Sequence, residues 1–164
     1  MNAEILIVDD NNDIRNIINE LIIDAGYKTR IAANYNQALT EIDKKLPDVA
    51  ILDVKLDKGD NDGIELLSHI KKKNKDVPVI IISGHANIEM AIKSLHHGAF
   101  EFIEKPFDQE RLLNFVSRAV ENYNLKKLNQ INRNSINIVS VYVFNLRRTA
   151  HLKTLAFLLT LPPL

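Results

Sequence analysis

Three short apolar runs, at residues 5–8 (Ile-Leu-Ile-Val), 49–52 (Val-Ala-Ile-Leu) and 77–82 (Val-Pro-Val-Ile-Ile-Ile), have almost no polar interruption, and each stops on a polar group: Asp9-Asp10, Asp53 and Ser83. Runs of this length without alternation are strands covered on both faces, which points to a parallel sheet between layers of helices. Two further runs, 28–33 and 100–104, alternate polar with apolar residues and suit the edges of that sheet; the second leads into Lys105-Pro106.

Helical spacing fills the intervals. Ile14, Ile17, Ile18, Leu21 and Ile22 form one stripe, with polar starters at residues 11–13 and a stop at Gly26. A second helix, 34–46, presents Ala38, Leu39 and Ile42 and ends before Pro47; a third carries Ile64, Leu67 and Ile70; a fourth, 87–97, closes at Gly98. A fifth begins near Asp108 and aligns Leu112, Val116, Ala119 and Tyr123. Five strands alternating with five helices imply an α/β fold: a flavodoxin-like (CheY-like) five-stranded parallel sheet of order 2-1-3-4-5 with helices on both faces. Its ligand crevice lies at the carboxyl ends of the strands, at the switch point between strands one and three. Asp10 and Asp53 are expected to meet there.

Three carboxylates, Asp9, Asp10 and Asp53, would crowd that crevice, and like charges oppose one another's ionisation. A hard divalent ion with oxygen ligands relieves the repulsion. Mg2+ suits the site because it bridges carboxylates to phosphoryl groups and keeps several waters. With its help Asp53 can attack a phosphorylated donor and become an acyl phosphate. Lys105 offers a point charge to the same carboxylate and later to a phosphoryl oxygen, and Ser83 offers a hydroxyl to another oxygen. Phe102, near Lys105, can rotate into space that Ser83 vacates, changing the surface of helix four, strand five and helix five. Taken singly these residues have plainer uses: an Asp-Asp pair also starts helices, Ser83-Gly84 also makes turns, a lysine is usually a surface residue, and a phenylalanine is usually core. Their joint placement at strand ends favours one mechanism.

Composition bounds the rest. The chain has no cysteine, which excludes disulfides and thiolate metal sites, and no run reaches the roughly 18 apolar residues of a membrane span. The N-terminus lacks the features of a signal peptide, so a cytoplasmic location is expected. Residues 1–121 hold 21 acidic and 15 basic residues, whereas 122–164 hold six basic and none acidic. That break suggests a domain at 1–124 and a short basic, apolar tail at 125–164. An acidic body disfavours nucleic acid as its partner.

Val8-Asp9-Asp10, Ile51-Leu52-Asp53, Asp62-Gly63, Ile82-Ser83-Gly84 and Lys105-Pro106-Phe107, in this order and at these separations, resemble bacterial response-regulator receiver domains over about residues 3–122. The resemblance implies Asp53 as phosphoacceptor, Asp9, Asp10 and Asp53 as acidic magnesium ligands and the Lys55 carbonyl as a further ligand. It also assigns Ser83 and Phe102 to the switch and Lys105 to the phosphate. Asp57 stands where receivers usually have proline and the following loop is longer by about two residues; with Ser-Gly-His-Ala at 83–86 this resembles the NtrX group of nitrogen-related regulators. Members of that group continue into an AAA+ ATPase and a DNA-binding helix-turn-helix, and neither is expected here.

The expected function is that of a phosphoacceptor in a two-component pathway, with a sensor histidine kinase as donor and homodimerisation through the helix 4, strand 5, helix 5 face. Turnover of an external substrate and autonomous DNA binding are not expected. Two other readings are a non-phosphorylated pseudo-receiver and a Mg-dependent phosphatase working through an aspartyl intermediate. In the tail, helix five is expected to run through Leu125, Leu128 and Ile131, 136–144 to be strand-like, and 155–161 to be strongly apolar. The tail can be a segment docking on a partner, a membrane-surface segment or the relic of a longer regulator, and loss of acidic residues favours the relic. The five histidines lack ligand spacing and are read as surface residues.

Overall fold

The computed structural model describes residues 3–84 and 88–159, except the side chains of residues 139 and 141–159. Expectations for Met1, Asn2, His85, Ala86, Asn87 and 160–164, and for the side chains of Arg147, Arg148, His151 and Lys153, lie outside the described residues. Strands β1 (Glu4–Val8), β2 (Lys28–Ala32), β3 (Val49–Asp53), β4 (Val79–Ser83) and β5 (Glu101–Glu104) alternate with helices α1 (Asn12–Asp24), α2 (Tyr35–Lys44), α3 (Asp62–Lys73), α4 (Ile88–His96) and α5 (Gln109–Leu159). Every adjacent strand pair is parallel, and the order is β2-β1-β3-β4-β5. The two alternating runs lie at the edges, as their polarity predicts.

Period-two alternation sends successive side chains of each strand to opposite faces. Leu6, Val8, Ala50, Leu52, Val79 and Ile81 join Ala38 and Ile42 of α2 and Leu66, Leu67 and Ile70 of α3 in one core. Ile5, Ile7, Val49, Ile51, Ile80 and Ile82 join Ile18 and Ile22 of α1 and Leu112, Val116 and Ala119 of α5 in the other. The central strands therefore need apolar residues at every position.

Side-chain caps start three helices: Asn11 accepts from the main-chain NH of Asp13 and Ile14, Asn34 from Gln37 and Asp108 from Arg111, at 2.8–3.1 Å. Such caps are worth about 1 kcal/mol each. Gly26 and Gly98 follow α1 and α4 at φ +87°, where a side chain would be strained.

Two expectations are corrected. Ile17, placed on the buried stripe of the first helix, is 46% exposed, and Arg15 is buried with Ile18 and Ile22. Residues 15, 18 and 22 are spaced three and four apart, so the inward stripe admits Arg15 and turns Ile17 outward. Residues 136–144 are helical rather than strand-like, inside α5. Adding turns to an existing helix avoids the cost of nucleation, whereas a lone strand of β-branched residues needs a pairing partner. The chain divides into two compact units, Met1–Asn124 and Leu125–Leu164. Within the second, Leu125, Leu128, Ile131, Ile136 and Ile138 are exposed along the helix. No helix among the described residues is long and apolar enough to cross a membrane.

Leu52 is fully buried in the central strand, whereas Ile31 on the edge strand is 47% exposed. Leu52→Ala is expected to cost about 2–5 kcal/mol in urea unfolding, and Ile31→Ala about 1 kcal/mol or less; equal losses would contradict the assignment of centre and edge.

Candidate functional site

Parallel register brings the carboxyl ends of β1, β3, β4 and β5 to one rim. Val8 pairs with Leu52, Asp53 with Ile82 and Ser83 with Glu104, so Asp9, Asp53, Ser83 and Lys105 follow or end neighbouring strands. Between them opens a cleft of about 610 Å³, lined by Asp10, Asn11, Asp53, Lys55, Asp60, Ser83, Met90 and Lys105, among others.

The cleft is built around one ammonium. Lys105 Nζ donates to Asp9 Oδ2 and to Asp53 Oδ2, at 2.7 Å each. Asp9 is fully buried, Asp53 is 6% exposed, and Asp10 is exposed beside them. The second oxygen of Asp9 accepts the Asn11 main-chain NH at 2.9 Å, and the carboxylate of Asp53 accepts the main-chain NH of Lys55. Burial pushes the Asp53 carboxyl above its ordinary range, and the charge of Asp9 pushes the same way; the Lys105 hydrogen bond and charge pull down without overcoming it. For Lys105, burial is the largest influence and acts downward, but its bonds to Asp53 and Asp9 and their charges together hold it above its ordinary value.

Asp9, Asp10 and Asp53 each offer a carboxylate oxygen, and these oxygens lie within 4.8 Å of one another. A magnesium ion holds oxygen ligands at about 2.0–2.1 Å, so donors on opposite sides of it are about 4 Å apart. The trio has the donor chemistry and compactness that such an ion requires. Lys55 lines the cleft, with its ammonium paired to Asp60 at 2.9 Å.

Ser83 is buried at the end of β4, and its hydroxyl points to Met90 Sδ of α4 at 3.8 Å. Phe102 is half-buried on β5, packed against the core that contains α2 and α3. The Lys105–Pro106 peptide is cis, and the Lys105 NH donates to the Ser83 carbonyl at 2.8 Å. Gly63 follows the cleft on α3: a Cβ there would run into the Asp53 carbonyl and lie 2.9 Å from Val54 Cα, while its NH donates to the Val54 carbonyl. Only glycine allows that approach.

Several contacts escaped the sequence. Asp57 accepts the Tyr35 NH at 2.8 Å, tying the long β3–α3 loop to the start of α2, and Asp62 accepts the NH groups of Lys58 and Gly59. Nothing in the spacing of Asp57 and Tyr35 announces this bond. Met90 carries no signal either, and Arg15 is signalled only by its register with Ile18 and Ile22. His69 is bonded to Asp43 at 2.9 Å, while His96 and His97 are exposed.

The model of the response regulator receiver domain family matches residues 5–117. The chain is 42% identical over 127 residues to the nitrogen assimilation regulatory protein NtrX of Azorhizobium caulinodans, a match covering 77% of this chain and 28% of that protein. The crystal structure of the receiver domain of NtrX from Brucella abortus superimposes with a TM-score of 0.66 at 43% identity, covering 71% of this chain and 98% of that one. The beryllofluoride-activated NtrC4 receiver domain dimer, in solution, gives 0.68 at 34% identity over 73% and 98% of the two chains. This chain spans about a quarter of the length of the curated relatives it matches. A five-stranded sheet of order 2-1-3-4-5, with an acid trio and a lysine at its carboxyl rim, thus joins a matching family model and NtrX relatives, and the chain belongs to the response regulator receiver domain family, as an NtrX-like member.

Proposed function

We propose that the 1–124 unit is a phosphoacceptor receiver that takes a phosphoryl group from a sensor histidine kinase onto Asp53. The observation that carries this is the Lys105 bridge, which holds Asp53 at the floor of an open cleft beside two further carboxylates. An Asp53 oxygen forms the new O–P bond as the donor's P–N bond breaks, and the electron pair of that bond stays on the donor imidazole. Asp9, Asp10 and Asp53 would hold Mg2+, with the Lys55 carbonyl as a further ligand; when bound, the ion neutralises charge on the transferred phosphoryl oxygens. Lys105 stays within reach of the product, and Ser83 turns from Met90 to donate its hydroxyl to a phosphoryl oxygen.

That turn is the output step. Ser83 and Met90 link the cleft to α4, so a hydroxyl drawn toward Asp53 loosens its hold on that helix and frees space for Phe102. The altered surface spans α4, β5 and the start of α5, where a second copy would dock. Phosphorylation shifts a population between the two arrangements. The chain acts in the cytoplasm, binds no DNA by itself and modifies itself rather than an external substrate.

Intact-protein mass spectrometry after incubation with Mg2+ and acetyl phosphate tests the proposal. A single hydroxylamine-labile adduct is expected on the wild type and none on Asp53→Ala. Absence of the adduct from folded, Mg2+-binding wild type would refute it.

The raised Asp53 carboxyl has a consequence for stability. The folded chain keeps this proton to higher pH than the unfolded chain, so the group's contribution is complete below the ordinary carboxylate range and is lost as pH rises through the raised value. In chelator-treated protein, the thermal midpoint of Asp53→Asn is expected to gain on the wild type as pH rises above the ordinary carboxylate range. Parallel pH profiles for the two proteins would show that burial of Asp53 carries no such penalty.

A further inference from the structure

Arg15 is a buried cation for which the phosphoryl chemistry above has no use. It is 9% exposed, on the inner stripe of α1, and its guanidinium bonds to two uncharged groups: Nη1 donates to the Asp9 carbonyl oxygen and Nη2 to Asn12 Oδ1, each at 2.7 Å. Among the described residues it forms no ion pair with a carboxylate. A guanidinium keeps its charge when buried, so its position needs compensation from its surroundings. The positive end of the α1 dipole supplies none. Asp9, whose carbonyl oxygen it holds, also carries a buried carboxylate.

Its main bond falls at a telling place. The Asp9 carbonyl and the Asp10 NH belong to one rigid peptide plane. Holding that oxygen fixes the plane, and the plane sets where the Asp10 side chain leaves the backbone. The rest of Asp9 is held independently: Oδ1 by the Asn11 NH, Oδ2 by Lys105, and the main-chain NH by the Ala32 carbonyl at 3.3 Å. Asp10 is different. It is the exposed member of the trio, and among the described residues its carboxylate has the charge of Lys55 nearby but no hydrogen bond to fix it, so its direction depends largely on the backbone beneath it. The second arm of the fork, on Asn12, grips the first turn of α1 and closes the loop between β1 and α1 from beneath.

We propose that Arg15 is a positioning residue for the Asp10 carboxylate, clamping the Asp9–Asp10 peptide and the first turn of α1 so that Asp10 is aimed into the cleft before a cation arrives. This rests on the proposed role of Asp10 in binding Mg2+. A planar fork with two donors suits the task, because it fixes a carbonyl and an amide oxygen together. Lysine keeps the charge but reaches both oxygens poorly.

The test is calorimetric titration of Mg2+ into the chelator-treated full chain, for the wild type, Arg15→Lys, Arg15→Ala and Asn12→Ala, with thermal midpoints measured alongside. Both Arg15 variants are expected to weaken Mg2+ binding by about 10-fold or more, the range seen when groups that orient metal ligands are lost. Asn12→Ala, which removes one arm of the clamp, is expected to weaken it less. Acetyl phosphate labelling of Asp53 at saturating Mg2+ is expected to recover to within about threefold of the wild type, so the defect lies in the Mg2+ requirement. A folded Arg15→Lys protein whose Mg2+ affinity stays within twofold of the wild type, with only its midpoint lowered, would overturn the proposal and leave Arg15 a fastener of α1. If Arg15→Ala fails to fold, Arg15→Lys and Asn12→Ala still decide. Absence of Mg2+ binding by the wild type would overturn the magnesium site itself and the inference with it.

Discussion

Two buried carboxylates sharing one ammonium set the terms for this molecule. Asp9 and Asp53 have almost no contact with water, and each accepts a hydrogen bond from Lys105 Nζ at 2.7 Å. Buried charges are tolerated when they are paired and when their remaining lone pairs are satisfied, and here the main-chain NH groups of Asn11 and Lys55 complete the set. The arrangement needs strands β1, β3 and β5 to end at one rim. The register of the sheet provides that, and the apolar sequence of the central strands provides the register.

These partners do not offset the whole cost of burying Asp53. Asp53 keeps its proton to higher pH than a free carboxylate would, because burial outweighs the lysine. A site in this condition favours whatever brings further positive charge to it or replaces the carboxylate charge by a group with more acceptors. In the proposed function these are a cation and a phosphoryl group. At the same rim the Ser83 hydroxyl points to Met90 Sδ, a weak acceptor, at 3.8 Å.

Around the cleft, loops are fastened by short bonds between distant segments. Asp57 accepts the Tyr35 NH, so the loop after β3 is anchored at the start of α2. Gly63 lets α3 lie directly against the Asp53 main chain. Farther along the chain, the α5 backbone continues as helix through a stretch rich in β-branched residues. Local preference there favours a strand. Without a neighbouring strand to pair with, the growing helix prevails.

Strand order, the pairing of edge with polarity, the helix caps and the acid trio were all determined by the sequence, because each rests on short-range pattern: uninterrupted apolar runs, alternation, and polar residues at run ends. The trio could be placed at one rim because parallel strands of similar length bring their carboxyl ends together. Tertiary structure decided what pattern cannot encode. It chose both Asp9 and Asp53 for Lys105, set Met90 beside Ser83, sent Arg15 inward in place of Ile17, and joined Asp57 to Tyr35. Each of these depends on where a side chain ends in three dimensions, on contacts between residues far apart in the chain or on the turn of a helix against its neighbours, and only packing settles such distances.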